Sequence, residues 1–317
     1  MTVPPAHAPG MNHVRGAIDC HIHACPHLNG RSVNVLEAVR QAHEAGMRAI
    51  GLMDNFAISS GYAALAMQEL GHLGVEVFGG LIMQPVCGGV TLEAARTALG
   101  LGYGPGTGSR FLSLPTHHTR YVAEREGRTG AYLESVFQVP PSGVVPDPVP
   151  AIMELCAERD VVFDCGHVSG REAARLCEEG KRRGVRRLRT HGTRYAADEI
   201  RAIVAAGGYV EFSFFILTHA TQVGLTHVDA EKHRASGCTI QDMAAAIRAC
   251  GVERAIVSSD CGVFVLPPPV EGFREFMLLL ESEGFTEAEI RRMNTANPAA
   301  LFGIGDAPGE TRLRSAA

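Results

Sequence analysis

Short β-rich segments alternate with helical segments eight times along this chain, and that alternation limits the possible folds more than any other feature. Most of the helical segments have the apolar spacing of an amphipathic helix and end at a glycine. Parallel strands cannot be joined by tight hairpins, so a helix between successive strands supplies the crossover that they need. The predicted strands cover residues 17–23, 47–54, 75–82, 109–115, 160–167, 185–191, 209–215 and 253–260.

Eight strand–helix units within 317 residues predict an α/β fold, a single-domain (β/α)8 TIM barrel that can depart from a regular barrel. We expect an N-terminal arm over residues 1–16, the barrel over 17–304 and a C-terminal tail over 305–317. An open doubly wound sheet is the alternative. That fold normally carries a glycine-rich phosphate loop after its first strand, whereas this chain continues as ACPHLNGRS.

The composition excludes several classes of function. A net charge of −5 gives no positive surface for nucleic acid or for an anionic membrane. The chain has no apolar run of about 20 residues and no signal peptide at its start. Its nine cysteines are odd in number and form no CxxC pair, which argues against a disulfide framework and a zinc finger. We therefore expect a cytoplasmic protein that acts on a small molecule.

Histidine and aspartate side chains lie at the ends of four predicted strands. In a barrel, the carboxyl ends of the strands carry the chemistry. Alternation with a period of two places Asp19, His21 and His23 on the same face of strand 1. Nitrogen and oxygen donors gathered at one end are typical of a site for a divalent cation. The candidate ligands are His21, His23, His167, His191 and Asp260.

This ordered set, HxH on strand 1, His on strands 5 and 6 and Asp on strand 8, resembles the amidohydrolase superfamily. The segment NTANPAALFGI (294–304) is similar to the closing helix of that superfamily, so the resemblance covers residues 17–304. It implies that His21, His23 and Asp260 hold a catalytic divalent metal, with His167 as a further ligand. Zinc is the expected ion, with manganese or iron as alternatives. The pattern is closest to a branch whose reaction has not been characterised.

The resemblance also implies catalytic roles for Asp260 and His191. Asp260 would take a proton from water activated by the metal, and His191 would bind a second ion or position the water or the substrate. Many relatives bridge two ions with a carboxylated lysine at the end of strand 4. The chain has only Lys181 and Lys232, and neither lies there. Without that bridge we favour one ion per chain over two, although Asp54, or less readily Cys87, could bridge.

Several polar residues beyond the strand ends are candidates for substrate binding. A guanidinium group can bind a carboxylate through two parallel hydrogen bonds, and the alternative for each residue is a solvated surface position. Glu211 in strand 7 could face the site or make a hydrogen bond inside the barrel. The long segments 117–147 and 216–238 leave the same end and should form much of the pocket wall. The substrate-binding candidates are His117, His118, Arg120 and Arg194.

The function implied by the resemblance is metal-dependent hydrolysis of a C–N bond, in an amide or a cyclic amide. The same site could serve a lactone or ester hydrolase or a non-oxidative decarboxylase. A phosphoesterase of another family that begins with HxH is also open, although Asp260-Cys261-Gly262 lacks the Asp-x-His that it would need. An inactive metal-binding scaffold is the alternative outside enzymes. Superfamily members often form oligomers, so a homo-oligomer is compatible with the resemblance.

Overall fold

Eight strands pair in parallel, in the order in which they occur in the sequence. The computed structural model describes residues 3–104, 106–140, 142–192, 195–223, 225–226, 232–233 and 236–305. The strands are β1 (Ile18–Ile22), β2 (Ala49–Leu52), β3 (Glu76–Ile82), β4 (Phe111–Ser113), β5 (Val162–Asp164), β6 (Leu188–His191), β7 (Tyr209–Ser213) and β8 (Ala255–Ser258).

Helices connect the strands and cover the outside of the sheet. Four of them begin with a reciprocal capping box, in which the side chains of Asn34, Ser169, Thr239 and Thr286 accept hydrogen bonds from the first helical turn. The helices are α1 (Met11–Val14), α2 (Val35–Glu44), α3 (Ser59–Leu70), α4 (Leu92–Gly100), α5 (Arg120–Arg125), α6 (Ala131–Ser135), α7 (Val149–Arg159), α8 (Gly170–Arg182), α9 (Ala197–Ala205), α10 (Ile240–Cys250), α11 (Pro269–Ser282), α12 (Glu287–Arg291) and α13 (Asn297–Phe302).

The sheet is a nearly closed barrel whose seam lies between β8 and β1. The seam is joined at the carboxyl end of the strands, where Ile22 bridges Cys261 in parallel. There the N–H of Asp260 donates to the carbonyl of His21 at 2.9 Å, and the N–H of His23 donates to Cys261 at 2.7 Å. The predicted (β/α)8 barrel is therefore confirmed. The seam also fixes the loop after β8 against the end of β1.

Two apolar layers fill the molecule, one between the sheet and the helices and one inside the barrel. The inner layer includes Ile18, Phe78 and Phe111 from the strands. Leu301 and Phe302 of α13 belong to the same inner cluster, so the closing helix packs into the barrel interior. The strands need apolar residues on both faces for this reason, which explains why they read as continuous apolar runs.

Strand β1 departs from strict alternation. Its pairing register with β2 shifts between Asp19 and Ile22. Cys20 packs in the inner cluster, and yet the ring of His21, its neighbour, also reaches a side chain inside the barrel. Irregularities of this kind redirect a side chain at the rim of a barrel. The expected sharing of one face by Asp19, His21 and His23 was therefore wrong for Asp19, whose carboxylate accepts from the N–H of Ser259 at the seam.

Three of the predicted ligands do not end their strands, as the sequence analysis expected. Strand β1 ends before His23, β5 ends at Asp164, and β8 ends at Ser258. His167 and Asp260 therefore lie in the turns that follow β5 and β8. Those turns leave the extended conformation through positive φ angles, 63° at Gly166 and 52° at Asp260. His191 does end β6.

The segments outside the regular barrel differ from simple loops. Segment 117–147 contains α5 and α6, and the described part of 216–238 contains short 3-10 turns and the two-residue strands Leu225–Thr226 and Lys232–His233. In the N-terminal arm, α1 contacts α11 and buries Met11 and Val14. All but the first residue of the predicted tail, 306–317, lies outside the described residues. No helix in the described part is both long and apolar enough to cross a membrane.

Candidate metal centre

The imidazole of His21 is held from one side by a buried carboxylate. Its Nδ1 lies 2.8 Å from Oε1 of Glu211, and the hydroxyl of Ser258 donates to the same oxygen at 2.6 Å. A carboxylate that accepts from Nδ1–H fixes the tautomer in which Nε2 carries the lone pair. That Nε2 lies 3.2 Å from Oδ1 of Asp260. The Nε2 edge of the ring therefore faces the carboxylate of Asp260 across the end of the barrel.

Asp260 brings the two histidines of the HxH motif together. Its Oδ1 lies 3.1 Å from Nε2 of His23 as well as close to His21. The hydroxyl of Ser213 donates to Oδ2 at 3.4 Å. The turn that holds Asp260 requires Gly262, which has a φ of 104°, because a Cβ there would lie 1.7 Å from the carbonyl oxygen of His23. Glycine thus allows the two loops to approach closely enough to assemble the cluster.

A fully buried arginine lies beneath this cluster. Nη1 of Arg189 is 2.8 Å from Oε2 of Glu211, and its Nε donates to Oδ2 of Asp164 at 2.7 Å. The guanidinium lies over the rings of Phe111 and Phe302, at 5.6 and 5.5 Å from their centroids. Burial would raise the pKa of Asp164 and of Glu211, but the charge of Arg189, together with nearby histidines and hydrogen bonds, outweighs burial and holds both values low. Both groups are therefore carboxylates at neutral pH.

The two histidines of the HxH motif have pKa values that are shifted in opposite directions. Burial disfavours the charged form of His21, but Asp260 and Glu211 outweigh it and raise its pKa to about 9. Burial lowers the pKa of His23 to about 4. Burial would raise the pKa of Asp260, but His21 and His23 hold it below its usual value. Without a cation, the positive charge that the carboxylates require is supplied by a proton on His21.

His191 and His167 continue the cluster along the rim. Nε2 of His191 lies 3.3 Å from Oδ2 of Asp164, and its Nδ1 is 3.9 Å from Oε2 of Glu211. The ring of His167 is 4.9 Å from that of His191, between centroids, and 6.2 Å from that of His117. Burial lowers the pKa of His167 to about 3, so this ring is neutral. The catalytic role of His191 and the ligand role of His167 stay predictions.

The donor set fits a divalent cation. Two groups of described residues have ligand atoms within 4.8 Å of one another, His21 with His23 and Asp260, and His21 with His191 and Glu211. Two imidazole nitrogens and a carboxylate oxygen are ligands that zinc accepts, with room for water or substrate as a fourth. In the second group, Glu211 already pairs with Arg189 and accepts from Ser258. The first group is therefore the better site for an ion.

An open pocket of about 1360 Å³, counted out to the solvent, leads to this cluster. His117 lines the pocket, whereas His118 and Arg120 are not among its lining residues. His118 lies by the ring of Tyr132, and Arg120 pairs with Glu124 at 2.6 Å on α5. The predicted substrate residue Arg194 lies outside the described residues. Substrate binding by His117, His118 and Arg120 stays a prediction.

The two long segments contribute to the pocket wall as expected from their position. The lining residues from segment 117–147 are His117, Tyr121, Val122, Arg125 and Glu126, and those from 216–238 are Ile216 and Val223. The alternative bridging residues lie elsewhere. Asp54 accepts from the N–H of Phe56 at 2.7 Å and is 3.6 Å from Nε2 of His27, and the thiol of Cys87 donates to the carbonyl of Asn55.

The sequence analysis did not single out Asp164 or Arg189, and it gave Glu211 an open role. Asp164 and Glu211 are single charged residues within mostly apolar stretches, VVFDC and YVEFS, whereas Arg189 lies in the arginine-rich stretch RRLRTH. Burial of a charge is costly without a partner, so charged residues in three successive buried strands were a signal that they pair. Arg31 on the pocket wall was also missed. No pattern in the sequence distinguishes it from the many surface arginines.

The barrel fold is the first feature that this chain shares with known proteins. Solved structures with the same barrel include an amidohydrolase from Pseudomonas aeruginosa, with a TM-score of 0.58 and 11% identity over 92% of this chain and 97% of that chain. An organophosphorus hydrolase from Deinococcus radiodurans has a TM-score of 0.54 and 15% identity, covering 91% and 92%. A 2,6-dihydroxybenzoate decarboxylase has a TM-score of 0.54 and 10% identity, covering 92% and 100%. The chain thus shares the barrel fold of these three proteins.

The sequence comparisons narrow this to one family. Residues 16–211, more than half of the chain, match DUF6282, a family of unknown function, and the chain belongs to that family. A search of curated proteins finds no match. The description of this family names no reaction, so the geometry of the site is the basis for a proposed function.

Proposed function

We propose that this chain is a metal-dependent hydrolase that cleaves a C–N bond, in an amide or a cyclic amide, of a small molecule. The observation that carries the proposal is the convergence of His21, His23 and Asp260, whose ligand atoms meet within 4.8 Å at the end of the pocket. We propose zinc as the ion, with one per chain. The amidohydrolase-type barrels among the solved structures support this class of chemistry, since they share the fold.

The bound ion would act as a Lewis acid that polarises a carbonyl and makes water more acidic. The chain's own residues have separate roles. Glu211 orients His21 through Nδ1, and Arg189 keeps Glu211 ionised. Asp260 is a carboxylate at neutral pH and lines the pocket, where it can take a proton from water and pass it to the leaving group. Ser213 holds one oxygen of that carboxylate.

Metal analysis and a substrate screen test the proposal together. We expect protein purified without added metal to retain about one equivalent of zinc, and metal-free protein to regain activity with zinc, manganese or iron. The screen compares cyclic amides, lactones and small carboxylic acids. Release of acid from an amide supports the proposal, whereas release of CO2 or hydrolysis confined to lactones would replace the C–N assignment by one of its alternatives.

Two variants test the residue roles. Asp260→Asn should retain its fold and lose at least about a hundredfold in turnover, because the amide cannot accept the proton. His21→Ala should lose metal as well as activity. His72→Ala is the matched control, since His72 is exposed on a short 3-10 turn away from the pocket. Full turnover by a folded, metal-loaded Asp260→Asn variant would exclude the catalytic role.

A further inference from the structure

A positively charged wall lies beside the metal centre. Arg31, in the loop after β1, lines the pocket together with His23 and Asp260. Arg125, on α5, lines another part of the wall, with its Cζ 5.4 Å from the ring centroid of Tyr121. The acidic residue near it, Glu126, pairs with Arg128. The wall therefore offers cations outside the candidate ligand set.

The backbone around Arg31 is fixed to the loop that carries Asp260. Arg31 forms an antiparallel bridge with Val263, and the N–H of Ser32 donates to the carbonyl of Gly262 at 2.8 Å. A guanidinium on a backbone anchored beside the metal centre is suited to position a substrate.

The guanidinium of Arg31 has one nitrogen, Nε, for which the described residues supply no acceptor. Its Nη2 donates to Nε2 of His27 at 2.7 Å, and Nδ1 of that ring lies 2.9 Å from the N–H of Asn29. Nε of Arg31 is buried and has no hydrogen-bond partner among the described residues. The charges of Asp54 and Asp260 favour the charged form of Arg31, and the carboxylate of Asp54 accepts from the N–H of Phe56.

We propose that the substrate carries a carboxylate, and that Arg31 binds this carboxylate while the bond to be cleaved lies at His21, His23 and Asp260. The proposal rests on the proposed function, and it names the substrate class of the same site. A planar guanidinium with an unpaired donor suits a carboxylate because the two groups can form parallel hydrogen bonds. Arg31 takes the place that the sequence analysis gave to Arg120, whose side chain pairs with Glu124.

Calorimetric titration with succinate tests the assignment, with uncharged succinamide as the paired probe. The wild type should bind succinate, and Arg31→Gln should bind it at least about tenfold more weakly, whether metal is present or removed. Arg31→Lys should recover part of the affinity, since it keeps the charge without the fork. Arg171→Gln is the matched control, because its side chain is 92% exposed on α8. Succinamide should not distinguish the variants.

Two results would overturn the proposal. The first is equal succinate affinity in the wild type and a folded Arg31→Gln variant. The second is succinate binding that is lost when the metal is removed and is unchanged when Arg31 is replaced. Circular dichroism and metal content of each variant separate these from a failure of the proposed function. A wild type that binds no metal would end the hydrolase proposal, and the metal-free succinate titration would still report on Arg31.

Discussion

Replacement of Arg189 by methionine is the most direct test of how the barrel supports the candidate site. Arg189, Asp164 and Glu211 have fully buried side chains, and one guanidinium pairs with both carboxylates. Breaking one buried ion pair by removing a partner costs about 3–5 kcal/mol. Here one substitution leaves two carboxylates unpaired, so we expect a loss of at least about 3 kcal/mol. A domain is stable by about 5–15 kcal/mol, so the loss is a large fraction of the total.

Methionine keeps most of the packing of the replaced side chain. It is flexible and fills the space between Phe111 and Phe302, so the measured loss reports mainly on the charge. Urea unfolding followed by circular dichroism measures the difference in free energy of unfolding. Arg171→Met on the exposed face of α8 is the control and should change stability by less than about 0.5 kcal/mol.

The pH dependence gives a second readout for the same variant. Arg189 holds the pKa of Asp164 and of Glu211 low in the folded protein, and this stabilising effect is present above their unfolded values and lost as the pH falls through the folded values. In the variant both folded values rise. The deficit should therefore be largest near about pH 8 and shrink towards about pH 5. A loss below about 1 kcal/mol at about pH 8 would refute the view that this network is paired as described.

Three further predictions concern the rim of the barrel. In metal-free protein the pKa of His21 is raised to about 9. Its contribution to stability is therefore complete below the unfolded pKa of 6.5 and is lost as the pH rises through about 9. NMR titration of the ring measures this pKa, and an unshifted value would contradict the prediction. Metal affinity should fall as the pH drops below about 9, because the ion must displace that proton from between His21 and Asp260, and competition with a chelator measures this. Gly262→Ala should lower the free energy of unfolding by at least about 3 kcal/mol or prevent folding, because its Cβ would meet the carbonyl of His23. The control Gly184→Ala has a similar positive φ but open space around it, and should lower the free energy of unfolding by about 1 kcal/mol. Equal losses for the two variants in urea unfolding would exclude the close approach.

The barrel and the main candidate ligands could be predicted from the sequence because both depend on local periodicity. Eight alternations of strand and helix allow few topologies, and the parallel order places every strand end at one rim. That rule places His21, His23 and Asp260 at the same rim, and the structure brings their ligand atoms together. The exact strand ends were less accurate, since the turns after β5 and β8 begin earlier than the apolar pattern indicates.

The network below the site could not be predicted, because contacts across a barrel depend on the stagger of its strands. Periodicity can place Asp164, Arg189 and Glu211 on inward faces, but it does not state which of them are level with one another. That alignment follows from the register of every neighbouring pair, which packing of the whole barrel sets.

The sequence by itself thus determined the architecture and the end at which chemistry is placed. Only the tertiary structure decided that Glu211 orients His21, that Arg189 lies between two buried carboxylates, and that Arg31 lines the pocket while Arg120 pairs elsewhere. The physical reason is the separation along the sequence of the groups that interact. Backbone periodicity is set by neighbours along the chain, whereas the partner of a buried charge is set by groups that lie far apart in sequence and meet only when the barrel closes.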